Sequence, residues 1–107
     1  MEQRVLNTIR QGDAYSLRIT VLDGDTEITD QNITAIRIGV GKYQAYWPDG
    51  TLTYSDGSWG FPLTQEMTYD LTGAVNVQTQ VKMPTGDVFS SSIATITVEP
   101  SLLKGAW

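Results

Sequence analysis

The sequence predicts an all-β fold, a β-sandwich of about seven or eight short antiparallel strands. Apolar and polar residues alternate along several segments, turn signals separate these segments, and no stretch keeps a helical period for three turns. The same pattern allows an open barrel as the alternative. A chain of 107 residues has room for one domain, so we expect a single sandwich over residues 1–107 with a tail at 100–107.

The strands follow from the alternation, taken in chain order. Val5 and Ile9 indicate a weak first strand, and residues 15–21, 34–40 and 75–83 each place apolar side chains on one face. Residues 88–98 have strand composition, but Ile93 and Ala94 interrupt the alternation and predict a bulge or an edge irregularity. The inward faces predict a core of Tyr15, Leu17, Ile19, Ile36, Ile38, Val77, Val81 and Ile96.

Turn residues separate these strands. Asp23-Gly24 and Asp56-Gly57 are tight-turn signals. Pro48-Asp49-Gly50 and Pro84-Thr85-Gly86 have the form of three-residue hairpin loops. Thr64 is placed to cap one short helical turn over residues 63–67.

Composition excludes several function classes. The net charge is −5, which argues against a nucleic-acid binder and against binding to an anionic membrane. The chain has no Cys and no His, so it lacks the usual catalytic triads and the commonest metal ligands. No run of 18 apolar residues is present. We therefore expect no enzyme activity and no cofactor.

Four carboxylates fall close together at Asp23, Asp25, Glu27 and Asp30. Alternate acidic residues are typical of calcium loops, but Ile28 stands where an EF-hand needs glycine. Turns are rich in Asp for backbone reasons alone, so an acidic turn is the preferred interpretation and no metal site is predicted.

Aromatic residues concentrate between residues 43 and 61. A three-residue loop at 48–50 predicts a hairpin whose two faces are both apolar, with Tyr46 and Tyr54 on one face and Tyr43 and Trp47 on the other. One face would cover the core. The other is covered by its own chain, by a protein partner or by a sugar, since aromatic residues with polar tips suit both kinds of ligand.

The segment after Pro100 has two leucines and a tryptophan without a strand pattern. It either packs along its own sheet edge or serves as an arm that docks on a neighbouring subunit. The predicted interface residues are Tyr43, Tyr46, Trp47, Tyr54, Trp59, Leu102, Leu103 and Trp107.

Two longer stretches carry a family resemblance. The run Gln11–Leu17, followed by a strand, an Asp-Gly turn and Ile33–Ile38, resembles the N-terminal immunoglobulin-like domain of phage baseplate upper proteins. The segments Pro62–Thr68, Val77–Val88 and Ile96–Leu102 are similar to short virion proteins of tailed phages and prophages of Gram-positive bacteria. The likeness covers about residues 10–103, whereas baseplate upper proteins continue into a further C-terminal part.

The resemblance implies an immunoglobulin-like sandwich without catalytic residues. It also implies a structural component of a tail, baseplate or capsid surface, located in the virion after assembly in the host cytoplasm. Its partners would be other virion proteins and copies of itself. The alternative is a carbohydrate-binding module that recognises host glycans through Tyr46, Trp47, Tyr54 and Trp59.

Overall fold

The computed structural model describes residues 1–105 and 107, and this part of the chain forms two packed β-sheets and one short helix. Ala106, which belongs to the predicted tail, lies outside the described residues. In chain order the elements are β1 (Glu2–Val5), β2 (Ile9–Arg10), β3 (Tyr15–Asp23), β4 (Thr26–Glu27), β5 (Ala35–Val40), β6 (Tyr43–Trp47), β7 (Thr53–Ser55), β8 (Ser58–Leu63), α1 (Gln65–Asp70), β9 (Gly73–Lys82), β10 (Val88–Ser90) and β11 (Ala94–Glu99).

The strand order is that of an immunoglobulin-type sandwich. The first sheet has the order β1-β3-β8-β7, with β4 on β3, which corresponds to strands A-B-E-D. The second has the order β2-β11-β9-β5-β6, with β10 on β9, and contains the G-F-C arrangement followed by C′. The predicted all-β sandwich is therefore confirmed.

The strands differ from the prediction in number and in one direction. The described residues contain 11 strands, because the first and last strands are each divided and β4 adds a two-residue strand. The pairing of β2 with β11 is parallel, whereas we expected antiparallel strands throughout. The break between β10 and β11 falls at residues 91–93, beside the predicted irregularity at Ile93.

The core lies between the inward faces of both sheets. Six of the eight predicted core residues are no more than 2% exposed, namely Leu17, Ile19, Ile36, Ile38, Val77 and Val81. Tyr15 and Ile96 are only half-buried, and Ile96 packs at the rim of the core. Trp59 and Phe61 are the largest fully buried side chains, although neither belongs to the predicted core.

A buried polar cluster joins β1 of the first sheet to the second sheet. The Gln3 side-chain amide donates to the carbonyl oxygen of Val77 at 2.6 Å and accepts from the Thr79 hydroxyl. The Thr79 backbone N–H donates to the Ser91 hydroxyl at 3.0 Å. These contacts satisfy polar atoms that burial would otherwise leave without partners.

Three of the four predicted turns form hairpins where their sequences indicate, whereas the strands on either side of 48–50 do not pair with each other. Asp56 and Gly57 both have positive φ in the turn from β7 to β8, as a tight hairpin requires. Across the β9–β10 loop, the Met83 N–H donates to the Asp87 carbonyl at 2.8 Å. Thr64 caps α1 by accepting from the Met67 N–H.

Within the described residues, no helix has the length and apolarity to cross a membrane.

The two ends of the sandwich differ in what they contain. The strand directions place residues 11–14, the β5–β6 turn, α1 and the segment after Pro100 at one end, called here the helix end. The opposite end, called the turn end, contains residues 24–34, 48–52, 56–57 and 83–87. The molecule is elongated, with principal extents of 47 × 23 × 23 Å.

Candidate functional site

The predicted aromatic hairpin over residues 43–61 is wrong. β6 pairs with β5 in the second sheet, whereas β7 pairs with β8 in the first, so the chain crosses between sheets at residues 48–52. The backbone bond from the Leu52 N–H to the Tyr46 carbonyl holds this crossing. A segment that leaves one sheet for the other meets the core with different faces, which explains why both faces are apolar.

Three of the predicted interface aromatics, which belong to strands β6, β7 and β8 on either side of this crossing, pack on one another. Trp59 has no exposed surface, and its indole N–H donates to the Ile28 carbonyl at 3.0 Å. The Trp47 and Tyr54 rings meet it edge to face, with centroid separations of 5.5 and 5.1 Å. Trp59 is therefore a core residue of the folded domain and not a surface residue.

Tyr54 is half-buried and its polar tip is already occupied. Its hydroxyl donates to the Glu27 carboxylate. Partial burial, followed by this hydrogen bond, raises the pKa of Tyr54 to about 12. Its ring and its hydroxyl are thus both used within the chain.

Tyr43 lies at the helix end in a small polar cluster. Its hydroxyl donates to the Asp70 carboxylate at 2.7 Å, and Lys42 forms an ion pair with the same carboxylate. These bonds, first from Lys42 and then from Tyr43, lower the pKa of Asp70. The cluster fixes the end of α1 to the β5–β6 turn.

Tyr46 is the exposed member of the aromatic set, with 44% of its surface accessible. It lies on the outer face of the second sheet beside a groove of about 450 Å³ at the turn end. We call this the end groove, and its apolar lining comes from Ala35, Tyr46, Trp47, Pro48 and Val88. Arg37, Asp49, Gln80 and Lys82 supply the polar part of its lining.

The three large apolar side chains of the tail point into solvent. Leu102 is 96% exposed, Leu103 77% and Trp107 fully exposed. These side chains therefore do not pack along the chain's own sheet edge, which was one of the two possibilities from the sequence. We call residues 101–107 the tail arm.

The backbone of the tail arm is nevertheless held on α1. The Tyr69 hydroxyl donates to the carbonyl oxygens of Leu103 at 3.2 Å and Gly105 at 3.0 Å. The backbone N–H of Trp107 donates to the Gln65 side-chain oxygen at 2.9 Å. The Gln65 side chain is itself oriented by donating to the Gly12 carbonyl.

Gly12 provides the space that Tyr69 needs. It has a φ of +87°, and a Cβ at this position would lie 2.7 Å from the Tyr69 hydroxyl oxygen. Sequence reasoning missed Gly12, Gln65 and Tyr69 as supports of the tail arm. The signal was weak, because a short polar helix and a glycine in a loop are common features of any domain.

Comparisons of the chain with protein-family models, with curated proteins and with solved structures gave no match. We infer function from the geometry of the tail arm and the end groove.

Charge is distributed unevenly between the two ends. The turn end has seven carboxylates that form no ion pair within the described residues, and the cations beside them are Arg37 and Lys82; Glu2, at the same end, is paired with Arg4. The seven carboxylates are those of Asp23, Asp25, Glu27, Asp30, Asp49, Asp56 and Asp87. No three His, Cys, Asp or Glu side chains of the described chain are arranged to hold a metal ion.

Proposed function

We propose that this domain is a structural component of a tailed-phage or prophage virion, on the tail, baseplate or capsid surface, and that it acts by protein–protein contact in several copies. The observation that carries the contact function is the tail arm. Its apolar side chains are exposed while hydrogen bonds to Tyr69 and Gln65 hold its backbone. The virion location is supported by the family resemblance of residues 10–103.

An arm held in this way is suited to binding. Ordering a flexible segment on association costs free energy, and an arm whose backbone is already held avoids part of that cost. A few residues near the centre of a contact, most often Trp, Tyr or Arg, contribute most of its affinity. Trp107 is such a residue, and Leu102 and Leu103 add exposed apolar surface beside it. No catalytic role is proposed for them.

The contact function is tested by making the tail arm polar in the full-length chain. We expect Leu102→Ser, Leu103→Ser and Trp107→Ser together to reduce self-association, because these side chains are exposed and not needed for folding. Light scattering over a range of concentrations measures the association, and circular dichroism confirms the fold. The matched control is Leu6→Ser, which removes an exposed apolar group elsewhere. Equal association of the triple variant and the wild type would contradict the contact function.

The virion location has its own test. Mass spectrometry of purified phage or induced prophage particles from the source strain should detect this chain at several copies per particle. Detection in the cell lysate together with absence from intact particles would contradict the assignment.

The carbohydrate-binding alternative is less well supported. Sugar rings stack on exposed aromatic faces, but Trp59 is buried and Tyr54 packs against it. Tyr46 and Trp47, beside the end groove, are the two rings left for this function. Binding to a glycan array that is lost on Tyr46→Ser would favour a sugar ligand over a protein partner.

A further inference from the structure

We propose that the tail arm of one copy docks in the end groove of a second copy, so that the domain assembles head to tail. This inference rests on the contact function proposed above and names the partner surface. Two features of one chain match each other: an exposed apolar arm at the helix end and an apolar groove at the turn end.

The positions of the arm and the groove make the contact one between molecules. The tail arm follows β11 at the helix end, next to α1, whereas the groove lies where β5 begins and where β6 and β9 finish, at the turn end. The molecule is 47 Å long, so an arm held on α1 lies far from the groove of its own chain. The groove of a second copy stacked along the long axis is within its reach.

The size and lining of the groove suit the side chains of the arm. Its volume of about 450 Å³ has room for an indole, and it lies within the roughly 300–1,000 Å³ range of ligand sites. Tyr46 and Val88 flank it with exposed apolar surface. Burial of the Trp107 indole there would remove roughly 200 Å² from water.

Charge favours this orientation over a symmetric one. Two turn ends placed against each other would oppose seven unpaired carboxylates to seven, with Arg37 and Lys82 as the cations on each side. The tail arm, in contrast, has Lys104 as its charged side chain and no acid. Within the groove, Arg37 is engaged by Gln80, while Asp49 forms no ion pair in the described chain and offers a partner for Lys104.

A head-to-tail contact can repeat from copy to copy, because each contact uses only one of the two binding surfaces of a molecule. Because arm and groove are different surfaces, an open assembly of any length still has one free arm and one free groove, and the series closes into a ring or continues as a filament. One arm in one groove buries less than the roughly 800 Å² per partner of a standard interface, so a single contact is weak. Repetition in an assembly supplies the stability.

The test separates the two surfaces in two full-length variants. The arm variant is Leu102→Ser, Leu103→Ser and Trp107→Ser, which keeps the groove. The groove variant is Tyr46→Ser with Val88→Lys, which keeps the arm and places a cation opposite Lys104. We expect each variant alone to be monomeric in analytical ultracentrifugation, and an equimolar mixture to form a 1:1 dimer that weakens in high salt. Leu6→Lys is the matched control outside the groove and should associate like the wild type.

The outcomes distinguish this inference from the contact function. If the groove variant alone associates as strongly as the wild type, the arm binds another surface, and head-to-tail docking fails while the contact function stands. A mixture that stays monomeric when the wild type associates also overturns docking. A wild-type chain that is monomeric at hundreds of micromolar overturns both proposals for self-contact. Circular dichroism establishes that every variant is folded.

Discussion

At the residue scale, substitution of Leu17 or Ile38 tests the core, because each sheet contributes one of these two residues. Each is fully buried, Leu17 on β3 and Ile38 on β5. We expect Leu17→Ala or Ile38→Ala to lower the free energy of unfolding by about 2–5 kcal/mol, because the lost side chain leaves a cavity. Denaturant unfolding measures this change, and Ile96→Ala at the rim should cost less. A change below about 1 kcal/mol at both buried sites would contradict this account of the core.

Arg18 and Gly60 are coupled on the outer face of the first sheet. The Arg18 guanidinium donates to the Ser58 hydroxyl at 2.9 Å and to the Ser55 carbonyl at 2.7 Å. A Cβ on Gly60 would lie 2.6 Å from one of its terminal nitrogens. The absence of a side chain at residue 60 therefore allows Arg18 to lie flat over β8.

This coupling predicts a non-additive pair of substitutions. Gly60→Ala should displace Arg18 and lower the free energy of unfolding by about 1 kcal/mol, the typical net worth of hydrogen bonds of this kind. In an Arg18→Ala background, the same Gly60→Ala change should cost less, because the closest obstacle is gone and the Thr53 hydroxyl oxygen, at 3.2 Å from the Cβ position, is the tightest contact left. A double-mutant cycle by denaturant unfolding measures the coupling, and strict additivity would contradict it.

At the scale of elements, Asp70 links α1 to the β5–β6 turn through Lys42 and Tyr43. The pKa of Asp70 in the folded protein is lowered from the ordinary value of 3.8. The stabilisation of the folded state by the ionised Asp70 carboxylate is therefore complete at pH values above 3.8. It is lost as the pH falls through the folded pKa.

Thermal melting as a function of pH tests this linkage. At neutral pH we expect a lower melting temperature for Asp70→Asn than for the wild type, and the difference should shrink as the pH falls below the ordinary value of 3.8. Asp49→Asn is a matched control, since Asp49 forms no ion pair in the described chain. A difference that stays constant down to low pH would show that the carboxylate charge is not involved.

The elements were predictable to different degrees. Apolar and polar residues alternate over six to ten residues in strands β3, β5 and β9. Because one face of each strand is buried, this alternation fixes which residues face the core and therefore the register of the strand. The crossing between β6 and β7 was not predictable in this way. Pro48-Asp49-Gly50 has the form of a hairpin loop, and whether the next strand pairs back or enters the other sheet depends on contacts distant in sequence, such as Trp59 with Ile28.

The candidate site was predictable only in part for the same reason. The apolar residues of the tail arm are visible in the sequence, but their exposure depends on Tyr69 and Gln65, more than 30 residues away, which bind the backbone of the arm. The end groove combines residues from β5, β6, β9 and β10, and no local pattern brings these together.

At the scale of the whole molecule, the acidic turn end predicts indifference to calcium. Four of its carboxylates are close together in the sequence at residues 23–30, but within the described residues no three carboxylates are arranged to share an ion. Melting temperatures in excess calcium and in chelator should therefore coincide. A rise of several degrees with calcium that disappears in Asp23→Ala with Asp25→Ala would contradict this, because a bound ion stabilises the folded state by mass action.

The outer edge of the second sheet gives the molecule an aggregation liability. Residues 88–98 contain no charged side chain, and among the described strands none pairs with the outer edge of residues 88–97. Val88, Phe89 and Ile93 are exposed along it. An uncharged strand with free backbone groups is a template for pairing with other chains, and natural sheets block such edges with lysine. We expect Ser92→Lys to slow the growth of thioflavin-positive aggregates on prolonged incubation without changing the melting temperature. If the variant and the wild type aggregate at equal rates, the segment that drives aggregation lies elsewhere in the chain.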